Sequence, residues 1–131
     1  MRKPNKSTLK RKLDKLAGEA IRSIGYCEAH AYDKPNSCST QLQWCHLKSR
    51  RYLVTRWDPL NAVCMCAACH RFFTDHPDHF RNFIEDKFPG RWDYLNAKFR
   101  EPKQDWYSIW LDYYKNNEQE QEITRRKTYV A

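Results

Sequence analysis

Two cysteines two residues apart, Cys66-Ala-Ala-Cys69, constrain this chain more than any other feature of its sequence. The spacing is that of a zinc knuckle, in which a tight turn aims two thiolates at one ion. A tetrahedral structural site needs two more soft ligands, and Cys27 and Cys38 stand upstream. Pro35-Asn36-Ser37 reads as a turn inserted between that second pair, which favours Cys38 as the fourth ligand. His30, in Cys27-Glu-Ala-His30, is its rival. Such a clip would join the start of a small domain to its last helix. Structural zinc supplies about 10–16 kcal/mol in small modules, more than a core of this size supplies alone. Cys45 and Cys64 are left over and read as small buried hydrophobes. The competing account, buried free thiols with no metal, does not explain the cluster from Cys66 to His70.

The chain has 131 residues, enough for one compact domain with extensions and too few for two full ones. Its first residues are basic and polar without the apolar stretch of a secretory signal, and no segment approaches a membrane span. These features point to a cytosolic protein, where six cysteines stay reduced rather than forming three disulfides.

Lys and Arg number 24 against 16 Asp and Glu, a net charge of +8 that calls for a polyanionic partner. The excess is local. Residues 1–22 hold eight basic and two acidic side chains, residues 23–76 hold six and four, and residues 77–131 hold ten of each. In the basic arm Leu9, Leu13, Leu16, Ala20 and Ile24 recur at helical spacing, with Ser7 placed to cap and Gly25 to stop. The apolar stripe should dock on the body and leave Lys10, Arg11 and Lys12 in water, free to lie along a phosphate backbone or simply to be solvated.

The middle of the chain is the least helical. Leu42, Trp44 and His46 alternate with Gln41, Gln43 and Cys45 at the period of a strand, and Asn61 to Cys66 reads as a second strand. The loop between them carries Lys48, Arg50, Arg51 and Arg56. A helix should follow through Phe72 and Phe73 and end near Pro77. Beyond it the spacing is helical in three pieces, punctuated by Pro89-Gly90 and Pro102. Their stripes are Phe80, Phe83, Ile84 and Phe88, then Trp92, Leu95 and Phe99, then Trp106, Ile109, Trp110 and Tyr113. Aromatic stripes at this spacing read as core before nucleobase stacking. The polar end from Asn116 should extend or fray. The expected class is α+β, with a basic helical arm over residues 1–25, a zinc-stapled core over 26–76 and an aromatic helical extension over 77–131.

In this arrangement His46, at the end of the first strand, and His70, just after the cysteine pair, approach each other beside Arg50, Arg51 and Arg56. The string Leu42-Gln43-Trp44-Cys45-His46-Leu47, then Ser49-Arg50, then Arg56-Trp57-Asp58-Pro59-Leu60-Asn61-Ala62, then Cys66-Ala67-Ala68-Cys69-His70 resembles the zinc-stapled HNH endonucleases of bacteriophages. More loosely, it resembles the phage recombination nuclease NinG. The likeness covers residues 26–84. It implies a small ββα-metal, treble-clef-like core and a metal-dependent DNA endonuclease from a phage or prophage. His46 is then the general base, Asn61 the brace of the hairpin loop that orients His46, and His70 a ligand of a catalytic cation (Mg²⁺, Mn²⁺ or Ni²⁺). A neutral imidazole can take a proton from attacking water, and Arg50 and Arg56 can grip flanking phosphates.

One position departs from that pattern. Many such enzymes carry aspartate just before the first histidine, where it binds the catalytic ion; here the residue is Cys45. Asp75, His76 or Asn61 could supply the missing ligand, although Asp75 and His76 read equally well as a helix end before Pro77. A Cys45 thiolate would favour a softer ion. The departure supports a rival expectation, a zinc-stabilised DNA-binding or adaptor module without cleavage. A zinc-stapled protein-interaction domain is a third. No dimer signature is visible in the sequence.

Overall fold

The computed structural model describes residues 5–116. Residues 1–4, with Arg2 and Lys3 of the basic arm, and residues 117–131, most of the polar end expected to extend or fray, lie outside the described residues.

The basic arm forms helix α1 (Lys6–Arg22). Its cap is Asn5 rather than Ser7: the Asn5 side chain accepts from the Thr8 amide at 2.8 Å, and Ser7 sits inside the first turn. The buried line is Leu13, Ala17 and Ile21, strict four-residue steps, with Leu16 and Ala20 at its margin. The chain leaves α1 through Ile24 and turns at Gly25, whose φ of +86° is a left-handed conformation that glycine adopts without cost. Arg11 and Lys12 are exposed and Lys10 is partly so, as an apolar stripe docked on the body requires.

A two-stranded antiparallel sheet follows, β1 (Leu42–His46) and β2 (Ala62–Cys66), with Trp44 opposite Cys64, Cys45 opposite Val63 and His46 opposite Ala62. The connection holds a short helix α2 (Leu53–Arg56) and a 3₁₀ turn over Pro59–Asn61, which Asp58 caps by accepting from the Leu60 amide. Directly after β2 comes α3 (Ala67–Asp75), then α4 (Pro77–Lys87), α5 (Arg91–Lys98) and α6 (Trp106–Asn116). The expected α+β class, hairpin and three terminal helices are therefore observed. Among the described residues no helix is long and apolar enough to cross a membrane.

Residues paired across an antiparallel ladder point to the same face, so the hairpin divides the interior in two. On one face Cys45, Val63 and Met65 pack with Cys27, Cys66, Cys69, Phe73, Phe83, Ile84 and Phe88. On the other, Trp44, Ala62 and Cys64 pack with Leu13, Ala17, Ile21, Trp57, Trp110 and Tyr114. The first core is built entirely from residues 27–88, whereas the second recruits both ends of the described chain. Phe80, Phe83, Ile84 and Phe88 serve the core as their spacing predicts, but Phe99 and Ile109 are exposed.

Candidate functional site

The four cysteines that the sequence assigns to a clip converge. The sulfurs of Cys27, Cys38, Cys66 and Cys69 all lie within 4.8 Å of one another, and Cys38 is 3.7 Å from Cys69. Tetrahedral zinc with bonds of about 2.3 Å places its thiolates about 3.8 Å apart, so the set fits a structural metal such as zinc with little adjustment. His30 is exposed and outside the cluster, which settles the choice between it and Cys38. None of the six cysteines is in a disulfide.

Local structure explains the convergence. Cys66 caps α3, its sulfur accepting from the Cys69 amide at 3.4 Å and from the Ser39 amide at 3.3 Å. Burial opposes ionisation there, but these backbone donors bring the Cys66 thiol down to about 6. The Cys27 segment is fixed to β2 by Glu28. Its amide donates to the Cys64 carbonyl at 2.7 Å, and its buried carboxylate accepts from the Cys64 amide at 2.9 Å. The side chain thus closes the open edge of β2, and the pair holds Cys27 level with Cys66.

His46 ends β1 with its ring 4.1 Å from that of Trp44. Its Nε2 lies 3.1 Å from the Arg56 carbonyl, which can only accept, so Nε2 carries the proton and Nδ1 keeps the lone pair. Arg50 Nε donates to that Nδ1 over a long 3.5 Å. Burial, and next the Arg50 charge, push the His46 pKa down to about 4, so the ring is neutral at pH 7.

Asn61 is fully buried and braces the loop that follows β1. Its Oδ1 accepts from the Lys48 amide at 2.7 Å, its Nδ2 donates to the Lys48 carbonyl at 3.1 Å, and its own carbonyl accepts from the Leu47 amide at 2.8 Å. With both amide ends used on backbone, Asn61 is placed to brace and not to hold an ion.

His70 lies on α3 and donates from Nδ1 to Gln43 Oε1 at 2.7 Å, which leaves Nε2 as its lone pair. Its pKa is lowered by burial and then by Arg50, so one guanidinium acts on both imidazoles. A cavity of about 200 Å³ between the end of β1 and α3 is lined by His46 and His70 together with Cys45, Phe73 and Thr74. A wider cleft of about 630 Å³ on the outer side of His70 is lined by Gln43, Arg71 and Asp75.

One expectation is corrected. Arg56 is not a free phosphate grip: its Nε and Nη2 donate to Asp14 at 3.1 and 2.8 Å, and its Nη1 donates to the Arg50 carbonyl at 3.0 Å. Cys45 is the small buried hydrophobe expected of it: burial drives its pKa far up and keeps it a thiol. Of the two roles open to His76, the helix end is the one observed: its Nδ1 bonds the Phe72 carbonyl at 2.8 Å and its ring stacks on Phe72 at the end of α3. Among the described residues the four cysteines are the one group of three or more Cys, His, Asp or Glu placed to share an ion.

Residues not anticipated from sequence fix the segment that His46 bonds. Asp14 on α1 binds Arg56 and also accepts from Trp57 Nε1 at 2.8 Å. Burial would raise its pKa, but Arg56 and Trp57 hold it below the ordinary carboxylate value. Tyr114 on α6 donates to the Trp57 carbonyl, and Tyr94 on α5 donates to Asp58 at 2.7 Å. Three helices therefore grip residues 56–58, the peptide whose carbonyl fixes the His46 tautomer. The remaining cations are open: Arg50 and Arg51 are exposed, and the partly buried Lys48 ammonium lies over the Trp92 and Phe99 rings.

Compared with known protein families, characterised proteins and solved structures, the chain gives no match.

Proposed function

We propose that this protein is a metal-dependent DNA endonuclease of the HNH type, its β1–β2–α3 unit a zinc-stapled ββα-metal core. The observation that carries the reading is that His46 and His70 line one cavity, and that each imidazole spends one nitrogen on the scaffold and has its lone pair on the other.

In this reading His46 Nδ1 accepts a proton from water as the water oxygen forms a bond to phosphorus. The bond from phosphorus to the leaving oxygen breaks, and that oxygen takes a proton from solvent. Asn61 and the Arg56 carbonyl hold the base in register, and Arg50, which contacts His46, turns its guanidinium to a phosphate oxygen. His70 Nε2, with water and phosphate oxygens, would hold a divalent cation, which when bound neutralises charge on the phosphate and the leaving group. Lys10, Arg11, Lys12, Lys48 and Arg51 supply phosphate contacts that position the DNA without reading its sequence.

The test is nicking of supercoiled plasmid with Mg²⁺, Mn²⁺ or Ni²⁺. His46→Ala and His70→Ala should each lower the rate by about 100-fold or more. Nicking by His46→Ala at the wild-type rate sinks the reading.

A second reading, a zinc-stabilised DNA-binding module without cleavage, is favoured by the buried thiol at Cys45 and by the lone nitrogen that His70 offers to a cation. It expects salt-sensitive DNA binding that survives loss of both histidines and needs no second metal.

A further inference from the structure

Beyond the histidines, aromatic and basic side chains interleave on a surface that the two cores do not need. Tyr52, just before α2, is 43% exposed, and Phe99, at the end of α5, is 41% exposed. Their rings meet edge to face at 5.1 Å. Arg51 lies 5.5 Å above the Tyr52 ring and Lys48 5.6 Å above that of Phe99. From Tyr52 an open groove of about 740 Å³ runs between α2 and the starts of α1 and α6, and Lys6, Arg51 and Lys103 line it.

In the groove the cations Lys6, Arg51 and Lys103 outnumber the one acid, Asp105. No carboxylate among the described residues pairs with Lys6, Lys48, Arg51 or Lys103, in contrast to Arg56 with Asp14, Arg81 with Glu85 and Lys98 with Glu101. The acid in the groove, Asp105, has both oxygens turned to Ser108, accepting from its amide at 3.3 Å and its hydroxyl at 2.8 Å. Burial, and next the Arg81 charge, lower the Lys48 pKa, a cost that a bound anion would offset.

We propose that this surface binds single-stranded nucleic acid, with unpaired bases on Tyr52 and Phe99 and phosphates along Lys48, Arg51, Lys103 and Lys6. Stacking on side-chain rings needs a free base face, which a duplex hides, while the cations alone would serve any polyanion. The rings are what select a single strand. Arg51 follows directly on Arg50, which touches His46, so the track begins beside the cavity. The proposal rests on the nuclease reading only for its consequence, that the preferred substrate carries an unpaired flank next to the cut.

The experiment measures anisotropy of a labelled oligothymidylate, a duplex of equal length and poly-glutamate on full-length protein carrying His46→Ala, so that nothing is cut. The single strand should bind tightest, and an oligonucleotide containing 2-aminopurine should be quenched on binding. Tyr52→Ala and Phe99→Ala should each weaken single-strand binding about 5-fold or more and leave duplex binding within about twofold. Lys103→Gln should weaken both and flatten the salt dependence. Should an alanine change perturb folding, as circular dichroism would show, Tyr52→Leu and Phe99→Leu take its place. Equal binding of oligothymidylate by the ring variants and their parent overturns the proposal, as does poly-glutamate binding as tightly as the oligonucleotide. A wild-type protein that prefers the single strand but never nicks removes the nuclease reading and leaves this one standing. Nicking without single-strand preference does the reverse.

Discussion

The two faces of the hairpin are secured by different means. The face that carries His70 is built from residues 27–88, with a four-thiol cluster at its centre and a stack of phenylalanines from α3 and α4 around it. The face that carries His46 is built from both ends of the described chain, α1 and α6, and its polar joint is an ion pair between Asp14 and Arg56. One half can be held by a metal, which fixes four side chains at once; the other is held by packing and a few hydrogen bonds. The half that would bind the cation is thus pinned by strong, local coordination, and the half that would carry the base depends on helices distant in sequence.

The sharpest way to break this contrast is to remove the clip. Cys69→Ser, or metal extraction with a chelator, should unfold the protein, because the roughly 10–16 kcal/mol attributable to structural zinc is comparable with the whole stability of a typical domain, about 5–15 kcal/mol. Since β1 and β2 serve both faces, the loss should appear in both: the helical signal of α1 and α6 falls with that of α3. Thermal melting followed by circular dichroism, with metal content measured alongside, checks this. An unchanged melting temperature after complete metal removal would show that the thiols are mere packing and that the two halves do not differ in kind.

A smaller change should separate the faces. Asp14→Asn leaves the clip intact but removes the charge that three donors share, two from Arg56 and one from Trp57. Charge-assisted hydrogen bonds of this kind contribute about 1.5–3 kcal/mol, and the pair is only partly exposed, so a loss of about 2 kcal/mol is expected. Metal content should stay at the wild-type level while the Arg56 carbonyl loosens its hold on His46. Nicking should then fall by more than the stability loss explains. Equal metal content with wild-type nicking would mean that the terminal helices play no part in placing the base.

The same contrast governs what the sequence revealed. The clip, the hairpin and the helices were legible because their signals are local: two residues between cysteines, period two along Leu42–His46, stripes at three and four in the last helices. Asn61 and the two histidines were legible through their order along the chain. Asp14 was not, because one acid on a basic helix reads as a solvated charge, and its partner lies 42 residues away. Arg56 misled for the same reason, since nothing local tells an internal guanidinium from a phosphate contact. Phe99 fits its stripe by spacing, yet α5 ends at Lys98 and the chain turns Phe99 outward. Glu28 was passed over because closing a strand edge with a carboxylate leaves no pattern. Spacing left His30 and Cys38 open, and three-dimensional distance decided between them.

The finest test concerns the charge beside His46. His46 is held neutral by burial first and by Arg50 second, with its pKa at about 4, against an ordinary value near 6.5. Between those values the unfolded chain binds a proton that the folded chain refuses, so stability falls as pH drops from about 6.5 to about 4 and is insensitive to this group above and below. The full span amounts to roughly 3 kcal/mol at about 1.4 kcal/mol per unit. Replacing Arg50 with Gln keeps the burial and removes the repulsion, so the His46 pKa should rise but stay below the ordinary value, and the acid-sensitive window should narrow from its lower end. Because Arg50 is exposed and screened, the stability change is expected to be below about 1 kcal/mol. An NMR titration of the His46 ring reads the site directly, free of the thiols that also take up protons in acid. A wild-type pKa near 6.5 would place the ring in water. The Arg56 carbonyl would then fix no tautomer, and the helical half of the molecule would lose its claim on the base.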